Sequence, residues 1–345
     1  MEPLQKREPQ QRILVIGQTC WDQIVLPSGS TYDRVGGSVY YVSRAIRYIA
    51  RLMRKNVQID VWAHVGEDFG SDIETAFDLP GVNRAFHFQE RTLRFLNRYT
   101  NEVDWTQREQ EVLQTANSKI RTSNIPREVA QELKNRSYQV VFILPLTPGD
   151  FSDLTNDMIP FLRAADPDLE IAVELQGFTR GFPPGGGQVT MKLDPGLLSL
   201  LQHQAISCAH CSVDEGRFLL QELAKLLGRP APSGRLNPPR IGSHLARHGI
   251  KCCGVTNGGK GSLVAWRDAE GGFPTQSIPT PNISSVVKEP RATGAGDTWF
   301  GILAYLLLAL RFPVIVSGCL ATQFATLKCL NPGALGEHAD GTPVV

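Results

Sequence analysis

No stretch of this 345-residue chain is apolar for long enough to cross a bilayer. The longest apolar run, Trp299–Leu310, falls well short of the ~20 residues a spanning helix requires. Neither charge is in excess. The 35 Lys and Arg nearly cancel the 34 Asp and Glu, which removes the global field that would gather nucleic acid or anionic membrane. The opening residues, MEPLQKREPQQR, lack the apolar centre of a secretory signal. The cytoplasm is therefore the expected location, with neither nucleic acid nor membrane as partner.

Two cofactor motifs are missing as well. The turn at Gly17 reads GQTCWD, without the G-x-G-x-x-G of a dinucleotide-binding oxidoreductase. Gly254 to Lys260 satisfies G-x-x-x-x-G-K, but Gly261 stands where a Ser or Thr would hold magnesium. The strand-like SLVAW then follows where that loop must enter a helix. The seven cysteines are scattered. Cys208 and Cys211 form a CxxC near His203 and His210, with no second ligand pair at matching spacing. They read as buried reduced thiols, not as a metal or redox pair.

What is present is an alternation of apolar strands and amphipathic helices, at 42% hydrophobic residues. Ile13–Ile16, Val57–Val65, Val140–Leu144, Ile171–Leu175, Ala205–Ser207, Ile250–Thr256 and Leu263–Trp266 read as strands. Helices are expected over Ser38–Met53, Ile125–Arg136, Asp153–Ala164, Val213–Leu227, Thr298–Leu310 and Val314–Leu330. This rhythm predicts an α/β fold with three layers, a central mostly parallel sheet between helices. Ala85–Gln107 reads as irregular, and the Pro-rich Arg229–Arg240 as a surface insertion. Two segments outside the rhythm, about residues 19–35 and 91–106, suggest a small β lid. Residues 1–11 form an expected disordered lead, 12–335 the domain and 336–345 a tail.

The run Thr293-Gly294-Ala295-Gly296-Asp297 leads directly into an apolar helix. Small residues there allow close approach of a ligand, and the free amides and dipole of the first turn favour an anion. A carboxylate beside such a turn suits phosphoryl transfer: the turn holds the moving phosphoryl charge and Asp297 accepts the proton of an attacking hydroxyl. The plainer reading of Asp297 is a helix N-cap.

The same run resembles the C-terminal signature of the ribokinase-like (PfkB) carbohydrate kinases. Gly36–Gly37 resembles their N-terminal diglycine, Val65–Gly70 (VGEDFG) their VGxDxFG segment, and Thr256–Gly261 (TNGGKG) their strand-end TxGxxG turn. The matches keep the family's order over about residues 13–335. The resemblance implies an ATP- and Mg2+-dependent kinase acting on a sugar, polyol or nucleoside. It implies that Asp297 is the general base, with Gly294, Ala295 and Gly296 as the anion hole. Asp22, Gly36, Gly37 and Glu174 would meet the acceptor. Ser212, Thr256, Gly258, Gly261, Thr293 and Thr322 would lie on the nucleotide side, and Glu215 would organise Mg2+ through water. Ser212-x-x-Glu215 is also a capping-box pattern. Glu174-Leu175-Gln176 replaces the usual D-x-N and resembles the variant in inositol-kinase-like members. Relatives often pair through their lids, which leaves a homodimer open.

Two departures matter. Relatives usually carry an Asp, which helps bind a monovalent cation, at the position of Arg291; a cationic side chain there disfavours potassium. It could instead reach the phosphates. Arg91–Thr100 is basic for a lid strand, with Arg94 and Arg98 on one face if extended. That face reads first as solvated, and otherwise as a contact for an acidic substrate or a partner subunit. The rival to an active kinase is a catalytically silent relative that binds nucleotide or sugar as a sensor or scaffold.

Overall fold

Continuous apolar runs become buried central strands because helices cover both faces of the sheet they form. The computed structural model describes residues 10–101, 108–116, 119–147, 149–151, 154–202, 206–230, 232, 234, 236–283, 291–331 and 333–337. In chain order the strands are β1 (Gln11–Gln18), β2 (Cys20–Val25), β3 (Thr31–Gly36), β4 (Val57–Gly66), β5 (Val82–Gln89), β6 (Leu93–Tyr99) and β7 (Arg108–Gln114). They continue with β8 (Val140–Leu144), β9 (Glu170–Glu174), β10 (Arg180–Gly181), β11 (Gly187–Gln188), β12 (Thr190–Met191), β13 (Cys208–Ser212), β14 (Cys252–Thr256), β15 (Ser262–Trp266) and β16 (Thr275–Ile278). The helices are α1 (Ser38–Leu52), α2 (Asp72–Ala76), α3 (Arg127–Lys134), α4 (Ile159–Ala165), α5 (Gly196–Gln202), α6 (Val213–Leu226), α7 (Pro238–Arg247), α8 (Ala295–Ala304) and α9 (Val314–Cys329).

Nine strands form the central sheet in the order β16-β15-β14-β13-β9-β8-β1-β4-β5. From β5 to β14 every pairing is parallel, while β15 and β16 return antiparallel. Alternation along β1 shows the layering. Ile13 and Val15 pack with α1, α8 and α9, while Leu14 and Ile16 face the opposite layer, which includes α3, α6 and α7. A second sheet, β11-β7-β6-β2-β3, forms the lid.

β2, β3 and β6 fall largely within the segments at about 19–35 and 91–106, and β7 and β11 join them from further along; residues 102–107 lie outside the described residues. Ala85–Gln107 is not irregular throughout: β5 pairs with β4 at the sheet edge, and its exposed positions break the apolar run that marks an inner strand. The strand expected at Ala205–Ser207 lies later, at β13. CAHCS is short of apolar residues, yet its place between β9 and β14 buries Cys208 to Cys211. The Pro-rich insertion ends in a helix rather than a loop. Asn237 caps α7 through the Arg240 amide and proline occupies the first helical position, where its missing N–H costs nothing. Glu337, at the start of the expected tail, is buried and paired with Arg44 at 2.8 Å.

The CxxC cannot chelate. Three positions apart on a strand, Cys208 and Cys211 enter opposite core layers. All seven cysteines are free.

Candidate active site

The cleft opens where the C-terminal ends of the parallel strands meet the lid, and encloses about 1130 Å³. Its floor is the start of α8. Gly294 is the N-cap, with φ of 80° in the left-handed region, and a Cβ there would sit 2.3 Å from the Tyr41 ring. Glycine is therefore required twice over, by conformation and by space. Asp297 is the third helical residue and not the N-cap. The plainer reading of Asp297 as a cap places the helix start at Thr298, but the small residues Ala295 and Gly296 already belong to the first turn. The Ala295 amide donates to the Ala292 carbonyl at 2.9 Å, so the amides of Gly294 and Gly296 are better placed to receive an anion.

Gln176 ties the floor together. Its amide nitrogen donates to Ser38 Oγ at 2.7 Å and lies 3.4 Å from Asp297 Oδ1. Its carbonyl oxygen accepts from Arg180 Nη2 at 2.6 Å. Beneath runs a chain from Glu174 through His210 to Thr256, with Oε2–Nδ1 at 2.7 Å and Nε2–Oγ1 at 3.0 Å. Burial raises the Glu174 carboxyl to about 7. Burial opposes the charged imidazole of His210, but the Glu174 carboxylate outweighs it and leaves His210 raised. The two titrate as a unit. Glu174 therefore lines the cleft while bonded to His210.

The lid supplies the facing wall. Asp22 on β2 is buried and accepts from Asn97 Nδ2 at 3.0 Å; Asn97 Oδ1 accepts from Gln110 Nε2 at 2.9 Å. Desolvation pushes the Asp22 carboxyl up, against the pull of Arg108 and Arg34. Gly37 lines the cleft and caps α1 with φ of 93°. Gly36 stands behind Asp22, where a Cβ would fall 2.0 Å from the carboxylate oxygen. Its part is to let Asp22 close in. Thr293 joins the two halves through a 2.6 Å hydrogen bond with the Tyr99 hydroxyl.

On the remaining side, Ser212 and Glu215 complete the capping box of α6: the Glu215 amide donates to Ser212 Oγ at 3.3 Å and the Ser212 amide to Glu215 Oε2 at 2.8 Å. Both also line the cleft. Thr256, Gly258 and Gly261 form the rim there. Gly261, with φ of 103°, has the Ile278 carbonyl where a Cβ would be. Thr322 lines the same cleft, but its hydroxyl is engaged by Ser262, by the Trp299 indole N–H and by the Gly318 carbonyl.

The basic face of β6 points away from the cleft. Asn97 and Tyr99 turn inward, while Arg94 and Arg98 lie 3.9 Å from Asp68 and Glu109, Arg98 exposed and Arg94 half-buried. The Arg291 guanidinium lies over the Tyr32 ring of the lid, 5.4 Å from its centroid, rather than in the cleft. Sequence reasoning missed Asn97, Arg108, Gln110, Arg180 and His210, all of which line the cleft. His210 sits inside the CxxC and the others in no motif; Arg180 in GFTRGF carries a further local signal, a lone charge between apolar neighbours.

No protein-family model and no curated protein matches the sequence. Solved structures do. The chain is similar to a pyrophosphate-dependent kinase in the ribokinase family, complexed with a pyrophosphate analog and myo-inositol. Identity is 19%, coverage is 95% of this chain and 98% of that one, and the TM-score is 0.67. It is similar to a ribokinase from Thermotoga maritima at 16% identity, covering 96% and 97%, with a TM-score of 0.61. It is also similar to a putative ribokinase II from E. coli in complex with ATP and Mg2+ at 13% identity, covering 92% of each chain, with a TM-score of 0.62. The fold is therefore ribokinase-like, as expected from the motifs.

Proposed function

We propose that this protein is a kinase that moves the γ-phosphate of ATP to a hydroxyl of a sugar, polyol or nucleoside. The observation that carries the reading is the placement of Asp297 in the first turn of α8, beside the Gly294–Gly296 amides and in the same cleft as Asp22. In this reading the acceptor hydroxyl is held by Asp22 and Asn97, and its proton passes to Asp297 as its oxygen bonds to the phosphorus. The bond from that phosphorus to the bridging oxygen breaks, and ADP leaves. The turn amides meet the equatorial phosphoryl oxygens, and Arg180 offers a guanidinium to the same charge. Gln176 keeps the Asp297 carboxylate turned toward the cleft.

Glu215 fits a water-mediated role toward Mg2+. One carboxylate oxygen is fixed by the Ser212 amide, and the group lines the cleft. Among the described residues no cluster of three or more metal-binding side chains exists, which suits an ion that keeps most of its waters and rides on donor phosphates. Bound there, the ion would neutralise phosphate charge.

The donor has a second reading, inorganic pyrophosphate, favoured by the similarity to a pyrophosphate-dependent kinase and by the occupied hydroxyl of Thr322. The experiment is phosphate transfer from Mg-ATP and from Mg-pyrophosphate across sugars, inositols and nucleosides, with Asp297→Asn run beside the native protein. Transfer to one acceptor that falls at least ~10²-fold in the variant is the expected result. Ligand binding without transfer for any pair would favour the sensor.

A further inference from the structure

Lys328, near the end of α9, is fully buried. Among the described residues no carboxylate lies within ion-pair distance of it, since Glu337 is taken by Arg44 and Arg34. A buried ammonium without a carboxylate is expensive. The favourable C-terminal end of a helix accounts for a surface lysine there, but not for one turned inward. Its Nζ donates to the Arg291 carbonyl at 2.7 Å. The Arg291 amide in turn donates to the Cys329 carbonyl at 3.0 Å, so the end of α9 grips both sides of this peptide. The ammonium also lies over the Tyr41 ring, 5.6 Å from its centroid. Tyr41 is the ring on which Gly294 rests. Lys328 and Gly294 therefore both pack on the Tyr41 ring.

We propose that the Lys328 ammonium is a built-in cation of the active site, which pins the Arg291–Thr293 backbone and biases the Gly294–Gly296 turn toward phosphoryl anions. The inference rests on the phosphotransfer reading and adds a positioning residue to it. It also relocates the positive charge that replaces a monovalent cation. Arg291 is turned to the lid; the buried charge on the Tyr41 ring comes from Lys328, with the Arg34 guanidinium 5.4 Å from the same centroid and held by Glu337. Burial, and then Arg34, draws the Lys328 pKa down to about 7, with Arg291 acting the same way and Cys329 and Glu337 opposing. An anion in the turn restores the charge, so ligand binding and protonation reinforce each other.

The test is Lys328→Met, which keeps length and removes charge, together with Lys328→Ala. The expected result is a fall in kcat of roughly tenfold or more, the scale of a lost charged hydrogen bond, with the acceptor KM unchanged. The thermal midpoint of Lys328→Met should hold or rise, because a buried charge is gone. Ammonium ion should restore part of the Lys328→Ala rate, and the native protein should be indifferent to exchange of sodium for potassium at constant ionic strength. A kcat within twofold of native in Lys328→Met overturns the inference. So does several-fold potassium stimulation of the native protein, which needs no variant to fold. Binding of inorganic pyrophosphate by calorimetry separates the two readings. If the native protein binds it without any transfer, phosphotransfer fails, and the inference stands or falls on a tenfold weaker binding in Lys328→Met. If the native protein neither binds nor transfers, both fail.

Discussion

The two halves of the cleft are built differently. The floor uses the ends of buried parallel strands and one helix N-terminus, where backbone and packing fix each group: Gly294 against Tyr41, Glu174 against His210, Gln176 against Ser38. The lid uses five short strands whose inner face alone belongs to the site. Groups at sheet ends are held by a core on both sides. Groups on the lid are held by side-chain chains such as Asp22–Asn97–Gln110. In the proposed reading the floor supplies fixed charge stabilisation and the lid recognises hydroxyls.

The difference can be sharpened by substitution. Gly294→Ala should be the most damaging: left-handed backbone and a Cβ 2.3 Å from a packed ring together cost ~3 kcal/mol or more. Chemical denaturation would measure it, and a loss below ~1 kcal/mol would mean the floor yields more easily than its packing implies.

Glu174→Gln should act through pH. The Glu174 carboxyl is raised from 4.5 to about 7 in the folded protein, so the native state holds a proton that the unfolded chain has released. Its stabilising contribution is complete below the unfolded value and is lost as pH rises through about 7. The raised His210 adds the same sign. Each such proton contributes a slope of up to ~1.4 kcal/mol per pH unit, and Glu174→Gln should flatten the stability curve between pH 4.5 and 7. An unchanged slope would show that the pair does not govern it.

Tyr99→Phe removes the hydrogen bond to Thr293 that joins the halves and should cost ~1 kcal/mol, read as a lower thermal midpoint. Arg98→Ala, on the outer lid face, should change stability and turnover within ~0.5 kcal/mol. A large effect of Arg98→Ala on turnover would return the basic face to the site.

Much of this was legible in the residues. Apolar runs marked the central strands because a sheet covered on both faces needs them, and Thr293–Asp297 marked the floor because an anion turn needs small residues before a helix. β13 was misplaced since CAHCS owes its burial to its neighbours, not its composition. The arginine-rich stretch of β6 announced charge without saying which face met the cleft.

The sequence by itself determined the layered α/β fold, the turn at Gly294 and the carboxylate at Asp297, because these depend on local periodicity and on what a few consecutive residues can sterically do. Tertiary structure alone decided that Arg108, Arg180, His210 and Asn97 converge on the cleft, that Arg291 turns away, and that Lys328 lies buried over the Tyr41 ring. Residues far apart in the chain carry no local signal of their meeting, since their burial and charge environment are set by elements that must first pack together.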